Sequence, residues 1–222
     1  HLESFRSWGA EAFSDVAVEA NGASWSSGMK ASCPDMVKRF EAHIEQTFGS
    51  GGITLLRDVF HSEWSGSSSS KGAAVLKKWA ESRFGVKTSY HGGYSVNTHF
   101  KEFLQKKGVS RERAFALLDA EYEFHQYYLR RLHRWDPLVL ERGTDKDELR
   151  WFADGVFTSN SVASYTTKNG VFGSKPVRFR TGNARVEDVV KTWYQGRDYM
   201  SYYQREAEYI LIGRPRETER LW

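Results

Sequence analysis

The chain has 222 residues, enough for a domain with a sizeable core, and its hydrophobic and charged fractions of 40% and 27% are those of an ordinary folded protein. Its net charge of +4 admits an anionic ligand, but the Lys and Arg residues are scattered among acids, which argues against a nucleic-acid binder. The single cysteine, Cys33, excludes an internal disulfide framework and argues against a Cys-based zinc site, and no apolar run approaches the roughly 20 residues of a membrane span.

Residues 1–35 are rich in Ser, Gly and Ala with weak periodicity and read as a loosely packed arm. The chain begins at His1 rather than Met, so it reads as a processed or trimmed product. A cytoplasmic location is the default expectation, with a removed targeting segment left open. Met36, Val37, Phe40, Ile44 and Phe48 recur at helical spacing and predict a helix over 35–48, ended by Gly49–Gly52. A second helix is expected over 53–64, and SGSSSSKG (65–72) reads as a linker or mobile loop. AAVLKKWAESRF (73–84) predicts a helix with Gly85 just past its end. After a turn-rich stretch at 91–97, helices are expected over 99–107 and 111–133, until Pro137 stops helical structure.

Beyond Pro137 the texture changes to short β-type runs at 138–141, 155–158, 176–180 and 209–212, separated by Gly, Asn, Asp and Ser. The expected fold class is therefore α+β, with a helical N-terminal part and a mainly antiparallel β part.

Three stretches of the β part carry candidate chemistry. Glu206 and Glu208 precede the apolar run Tyr209–Ile212. Residues two apart on a strand share a face, with Cα atoms about 6–7 Å apart, so both carboxylates can line one wall of a cleft. Taken alone the pair reads as two surface acids at a strand end. Arg142, followed by Gly143, offers a planar fork of donors suited to phosphate beside a residue that lets backbone approach a ligand closely; alone it reads as a surface salt bridge. Thr158, Ser159 and Ser161 bring hydroxyls to another strand end, where such residues often just close a turn.

Taken in order, Arg-Gly, then Phe157-Thr158-Ser159-Asn160-Ser161, then Glu-x-Glu before an apolar strand resembles the Arg-Ser-Glu class of mono-ADP-ribosyltransferases. Asn160 stands where that class often has Thr. The segments AVLKKWAESRFG (74–85), LDAEYEFHQYYL (118–129), LVLERG (138–143), VFTSN (156–160) and EAEYILIG (206–213) narrow the resemblance to the dinitrogenase reductase ADP-ribosyltransferase family, over about residues 73–213. The resemblance implies a β-rich core with an NAD cleft. It divides the chain into an unmatched part at 1–72, a helical part of the transferase at 73–135 and an NAD-binding catalytic core at 136–222.

It also implies roles. NAD is the substrate, with no metal or further cofactor required. Glu208 would stabilise the oxocarbenium-like ribose left by departing nicotinamide, and Glu206 would orient a guanidinium acceptor and take its proton. Arg142 would hold the pyrophosphate, Gly143 would admit the dinucleotide, and Ser159, flanked by Thr158 and Ser161, would position Glu208. The acceptor would be an arginine on the nitrogenase iron protein, another protein or a small guanidine. NAD glycohydrolysis, transfer to a nucleic-acid base and a non-catalytic NAD- or partner-binding module are the other readings.

Elsewhere, Glu121, Glu123, His125 and Gln126 look like a cluster but read as a solvated helix face, or as a border of the NAD site if the resemblance holds. His61, His91 and His99 lack metal-ligand spacing. Trp79 and Trp135 read as core. RDYMSYY (197–203) is the expected acceptor-recognition loop, and core packing serves it equally well.

Overall fold

The computed structural model describes residues 34–60, 70–88, 95–132, 138–167, 175–192 and 208–221. Among these, five helices precede nine strands, so the protein is α+β as its sequence texture predicts. The N-terminal arm, Cys33, His61, His91, Trp135, the 197–203 loop and Glu206 lie outside the described residues.

Helix α1 (Pro34–Phe48) buries Val37, Phe40 and Ile44, the stripe its periodicity predicts. The short α2 (Gly52–Arg57) continues as a π-helical turn over 58–60 that buries Val59 and Phe60. Helix α3 (Lys71–Phe84) starts two residues earlier than the sequence suggests. Ser70, read as linker, is its N-cap and accepts a hydrogen bond from Ala73 N at 3.1 Å. It ends where Gly85 takes the left-handed conformation at φ +67°. Helix α4 spans Val96–Lys107, capped by Ser95, and α5 spans Arg111–Leu132. α5 is the organising helix of this half. Its Phe124 stacks on Phe40 of α1 with ring centroids 4.3 Å apart, and its Asp119 accepts from Trp79 Nε1 of α3 at 2.9 Å. Trp79 is core, as expected.

The β half begins with β1 (Leu138–Thr144), which runs on through Arg142 and Gly143 instead of turning there. A 3₁₀ helix (Lys146–Trp151) leads to β2 (Phe152–Ala153), β3 (Val156–Thr158) and β4 (Val162–Thr166). Then come β5 (Val177–Ala184), β6 (Val189–Thr192), β7 (Glu208–Ile212), β8 (Pro215–Glu217) and β9 (Glu219–Leu221). Six strands form one antiparallel sheet in the order β6-β7-β4-β1-β5-β9, and β2-β3-β8 form a second. Strand β7 lies between two neighbours and is buried at all five residues. That explains why its sequence reads as an unbroken apolar run after Glu208.

The large sheet is covered on both faces. Phe157 of β3 meets Phe179 of β5 at 4.3 Å, and Phe179 meets Tyr165 of β4, so the small sheet packs on the face these rings share. On the β6 side, α5 is held by polar contacts. Gln126 Nε2 donates to the carbonyls of Val186 and Val189 at 3.0 and 2.9 Å, and Tyr122 donates to the Glu187 carbonyl at 2.8 Å. Glu121 pairs with Lys191 and lies 3.4 Å from His125 Nδ1, while Glu123 accepts from Arg83 at 2.7 Å. This corrects the reading of Glu121, Glu123, His125 and Gln126 as a solvated face: all four are at most 7% exposed. Glu121, Glu123 and Gln126 have partners on other elements and His125 meets Glu121 of its own helix, and buried polar groups persist when such partners satisfy them.

Candidate active site

Strand β7 sets the geometry. Its first residue, Glu208, is level with Thr166 of β4, which in turn is level with Glu141 of β1. Directly paired residues share a face, so Glu208, Thr166 and, two residues along, Ser164 project together. Arg142, Tyr165 and Phe179 belong to the opposite face. Glu208 is 5% exposed, and Ser164 Oγ donates a hydrogen bond to its carboxylate. A carboxylate so deep in the protein is oriented by this hydroxyl donor on the neighbouring strand.

Ser164 also receives the guanidinium. Arg142 Nη1 donates to the Ser164 carbonyl oxygen at 2.9 Å, so one serine takes Arg142 on its backbone and Glu208 on its side chain. The two charges lie on either side of β4 and are tied through it. The other terminal nitrogen is engaged as well. Arg142 Nη2 meets both carboxylate oxygens of Glu148 at 3.2 and 3.1 Å, the plane stands 5.7 Å from the Tyr165 ring, and the Nε–H is buried without a partner. Lys77 of α3, 4% exposed, feels both groups. Burial pushes its pKa down to about 8, with Glu148 raising it and Arg142 lowering it further.

The other sequence-derived candidates lie elsewhere. Thr158 is exposed at the end of β3, level with Pro215. Ser159 is buried and donates to the Asn160 carbonyl at 3.2 Å; Ser161 is fully buried, its hydroxyl 2.7 Å from that of Thr88 just beyond α3. Both pack beside Gly213, whose N–H donates to the Ser161 carbonyl at 2.9 Å. A Cβ on Gly213 would overlap the Asn160 carbonyl and stand 2.8 Å from the Ser159 oxygen, so glycine is needed for this close approach. Gly213 and Glu208 are at opposite ends of β7, roughly 16 Å apart at strand rise. Gly143, inside β1, is level with Arg178 of β5.

The structure thus ties Arg142 and Glu208, which project from opposite faces of the sheet, to the one residue Ser164, and sets Thr158, Ser159 and Ser161 at the other end of β7. Sequence reasoning missed Ser164, Glu148 and Lys77. The signal for Ser164 was available in part: Ser164 and Thr166 stand two apart in VASYT and so put two small hydroxyls on one face of a strand. What was lacking was the register that aligns it with Glu208. Among the described residues, no group of three or more His, Cys, Asp or Glu could hold a metal ion, and no helix is long and apolar enough to cross a membrane.

No curated protein and no solved structure matches the chain. A family model does: that described as dinitrogenase reductase ADP-ribosyltransferase matches residues 56–213, a span that contains α3 to β7 and with them Arg142, Ser164 and Glu208. The chain belongs to the dinitrogenase reductase ADP-ribosyltransferase family and is an NAD-dependent ADP-ribosyltransferase.

Proposed function

We propose that the protein transfers ADP-ribose from NAD to the guanidino group of an arginine, releasing nicotinamide, with Glu208 acting at the reacting ribose. The observation that carries this reading is the link Arg142–Ser164–Glu208, in which one half-buried serine meets both the carboxylate and the guanidinium. Loss of neutral nicotinamide leaves positive charge on the ribose. A buried carboxylate already oriented for that charge stabilises the transition state more than the ground state, and it does so without reorganising solvent. Ser164, rather than Ser159, is the hydroxyl that holds Glu208 for this step. Arg142 supplies positive charge for the pyrophosphate, where a planar fork of donors suits two phosphate oxygens.

The acceptor nitrogen forms its bond to the ribose carbon as the bond to nicotinamide breaks. Guanidinium has a pKa above about 12, so its proton leaves as the new bond forms and not beforehand. Glu206, two residues before Glu208 and outside the described residues, is our candidate for the base that takes it. The family is named for dinitrogenase reductase, which makes an arginine on the nitrogenase iron protein the acceptor to test first.

The test is nicotinamide release from NAD with and without agmatine, a small guanidine. Agmatine is expected to stimulate release in the wild type, with Glu208→Gln losing about 100-fold or more, the scale of removing one preorganised electrostatic group. Glu206→Gln is expected to lose transfer yet keep slow NAD hydrolysis. Release indifferent to agmatine would replace the arginine acceptor by water or another nucleophile.

A further inference from the structure

Arg142 reaches this structure with both terminal nitrogens of its guanidinium engaged. Its Nη2 spans the two carboxylate oxygens of Glu148 at 3.2 and 3.1 Å, and its Nη1 is held by the Ser164 carbonyl at 2.9 Å. The pair is well shielded, with side-chain exposures of 13% for Arg142 and 21% for Glu148. A carboxylate placed across a guanidinium in this way offers it two anionic oxygens, the same pattern that a phosphate offers. The two anions cannot use the one Nη2 edge at once. The two contacts also differ in kind: the Ser164 carbonyl belongs to the sheet backbone, whereas Glu148 is a side chain on the short 3₁₀ helix that follows β1.

We propose that Glu148 is an internal stand-in for the substrate's pyrophosphate: it occupies the Arg142 fork when the site is empty, and NAD must displace it to bind. The proposal rests on the reading of Arg142 as the pyrophosphate residue and adds a competitor within the chain. Glu148 keeps a buried guanidinium paired in the absence of substrate, which avoids leaving an uncompensated charge in a shielded site. It also weakens NAD binding, since every binding event must break the existing ion pair at Nη2. Lys77 is the neighbouring cation toward which the displaced carboxylate can turn. With Glu148 turned to Lys77, Arg142 presents its positive charge to the pyrophosphate.

The experiment is calorimetric titration of NAD, and separately of inorganic pyrophosphate, into the wild type, Glu148→Gln, Arg142→Ala and the double variant. Glu148→Gln is expected to tighten both ligands by roughly 3- to 10-fold, the scale of one charged competitor removed from a partly exposed ion pair. The gain should vanish in the double variant, where the fork is absent. A merely structural Glu148, holding Arg142 in place, would give the opposite sign. Weaker or unchanged binding in a folded Glu148→Gln therefore overturns the proposal. Should that variant fail to fold, Glu148→Asp, which keeps the charge on a shorter arm, must tighten NAD as well, or the proposal falls. Arg142→Ala binding NAD as tightly as wild type would overturn the reading of Arg142 itself, an outcome distinct from a neutral Glu148→Gln beside a damaging Arg142→Ala.

Discussion

At its N-terminal end β7 carries a buried carboxylate, Glu208, held by a hydroxyl from the neighbouring strand; at its C-terminal end it meets Gly213, with no side chain, pressed against the Asn160 carbonyl. Both ends contact β4 or the loop before it, and both looked functional from sequence alone. The difference is one of material. The Gly213 end is fixed by backbone, through the Gly213 N–H to the Ser161 carbonyl and by close approach. The Glu208 end is fixed by side chains whose hydrogen bonds can be redistributed when a ligand arrives. Substitutions at the first end should therefore act on folding, and those at the second on chemistry.

The largest effect is expected at Gly213. In Gly213→Ala the added methyl group overlaps a main-chain carbonyl, which cannot rotate away as a side chain can. A loss of more than about 3 kcal/mol of stability should follow, read as a large fall in urea midpoint. A variant that melts like wild type would show that the loop before β4 is free to move.

Ser164→Ala comes next and should act the other way round. It removes the Ser164 hydroxyl that orients the Glu208 carboxylate, so kcat for nicotinamide release is expected to fall about 100-fold while the variant stays folded. Ser159→Ala sharpens the comparison. Its hydroxyl bonds only to the adjacent carbonyl among the described contacts, so the expected cost is about 1 kcal/mol of stability. If Ser159→Ala lost turnover and Ser164→Ala kept it, the assignment of the two ends would be reversed.

A modest effect of the opposite sign is expected at Lys77, where folding and binding pull apart. Its folded pKa of about 8 lies below its ordinary 10.5, so the folded state penalises the charged form. That penalty is fully present below pH 8 and is relieved as pH rises toward 10.5, because the unfolded chain then releases the same proton. Lys77→Met is therefore expected to stabilise the fold by on the order of 1–2 kcal/mol at pH 7, and by less at pH 9.5, while weakening NAD binding. Urea titrations at the two pH values check the sign. Destabilisation at both would mean that the lysine stem packs better than methionine.

The sequence by itself determined much of this protein. Apolar spacing placed α1 and α3, glycine placed the end of α3 at Gly85, Pro137 marked the passage from helices to strands, and the fully apolar run after Glu208 announced a central strand. These signals are local, since each depends on the chemistry of neighbours in the chain. Arg142 and Glu208 were legible for the same reason, each sitting inside a short pattern. Only the tertiary structure decided which hydroxyl serves Glu208, because Ser159 and Ser164 are alike in sequence. They are separated by an antiparallel register that pairs Thr166 with Glu208 across 42 residues. It decided likewise that the polar residues of α5 are interior: Lys191 lies 70 residues from Glu121, and Arg83 lies 40 from Glu123. Charge complementarity over such distances leaves no trace in local composition, and only the packed chain brings the partners within hydrogen-bonding range.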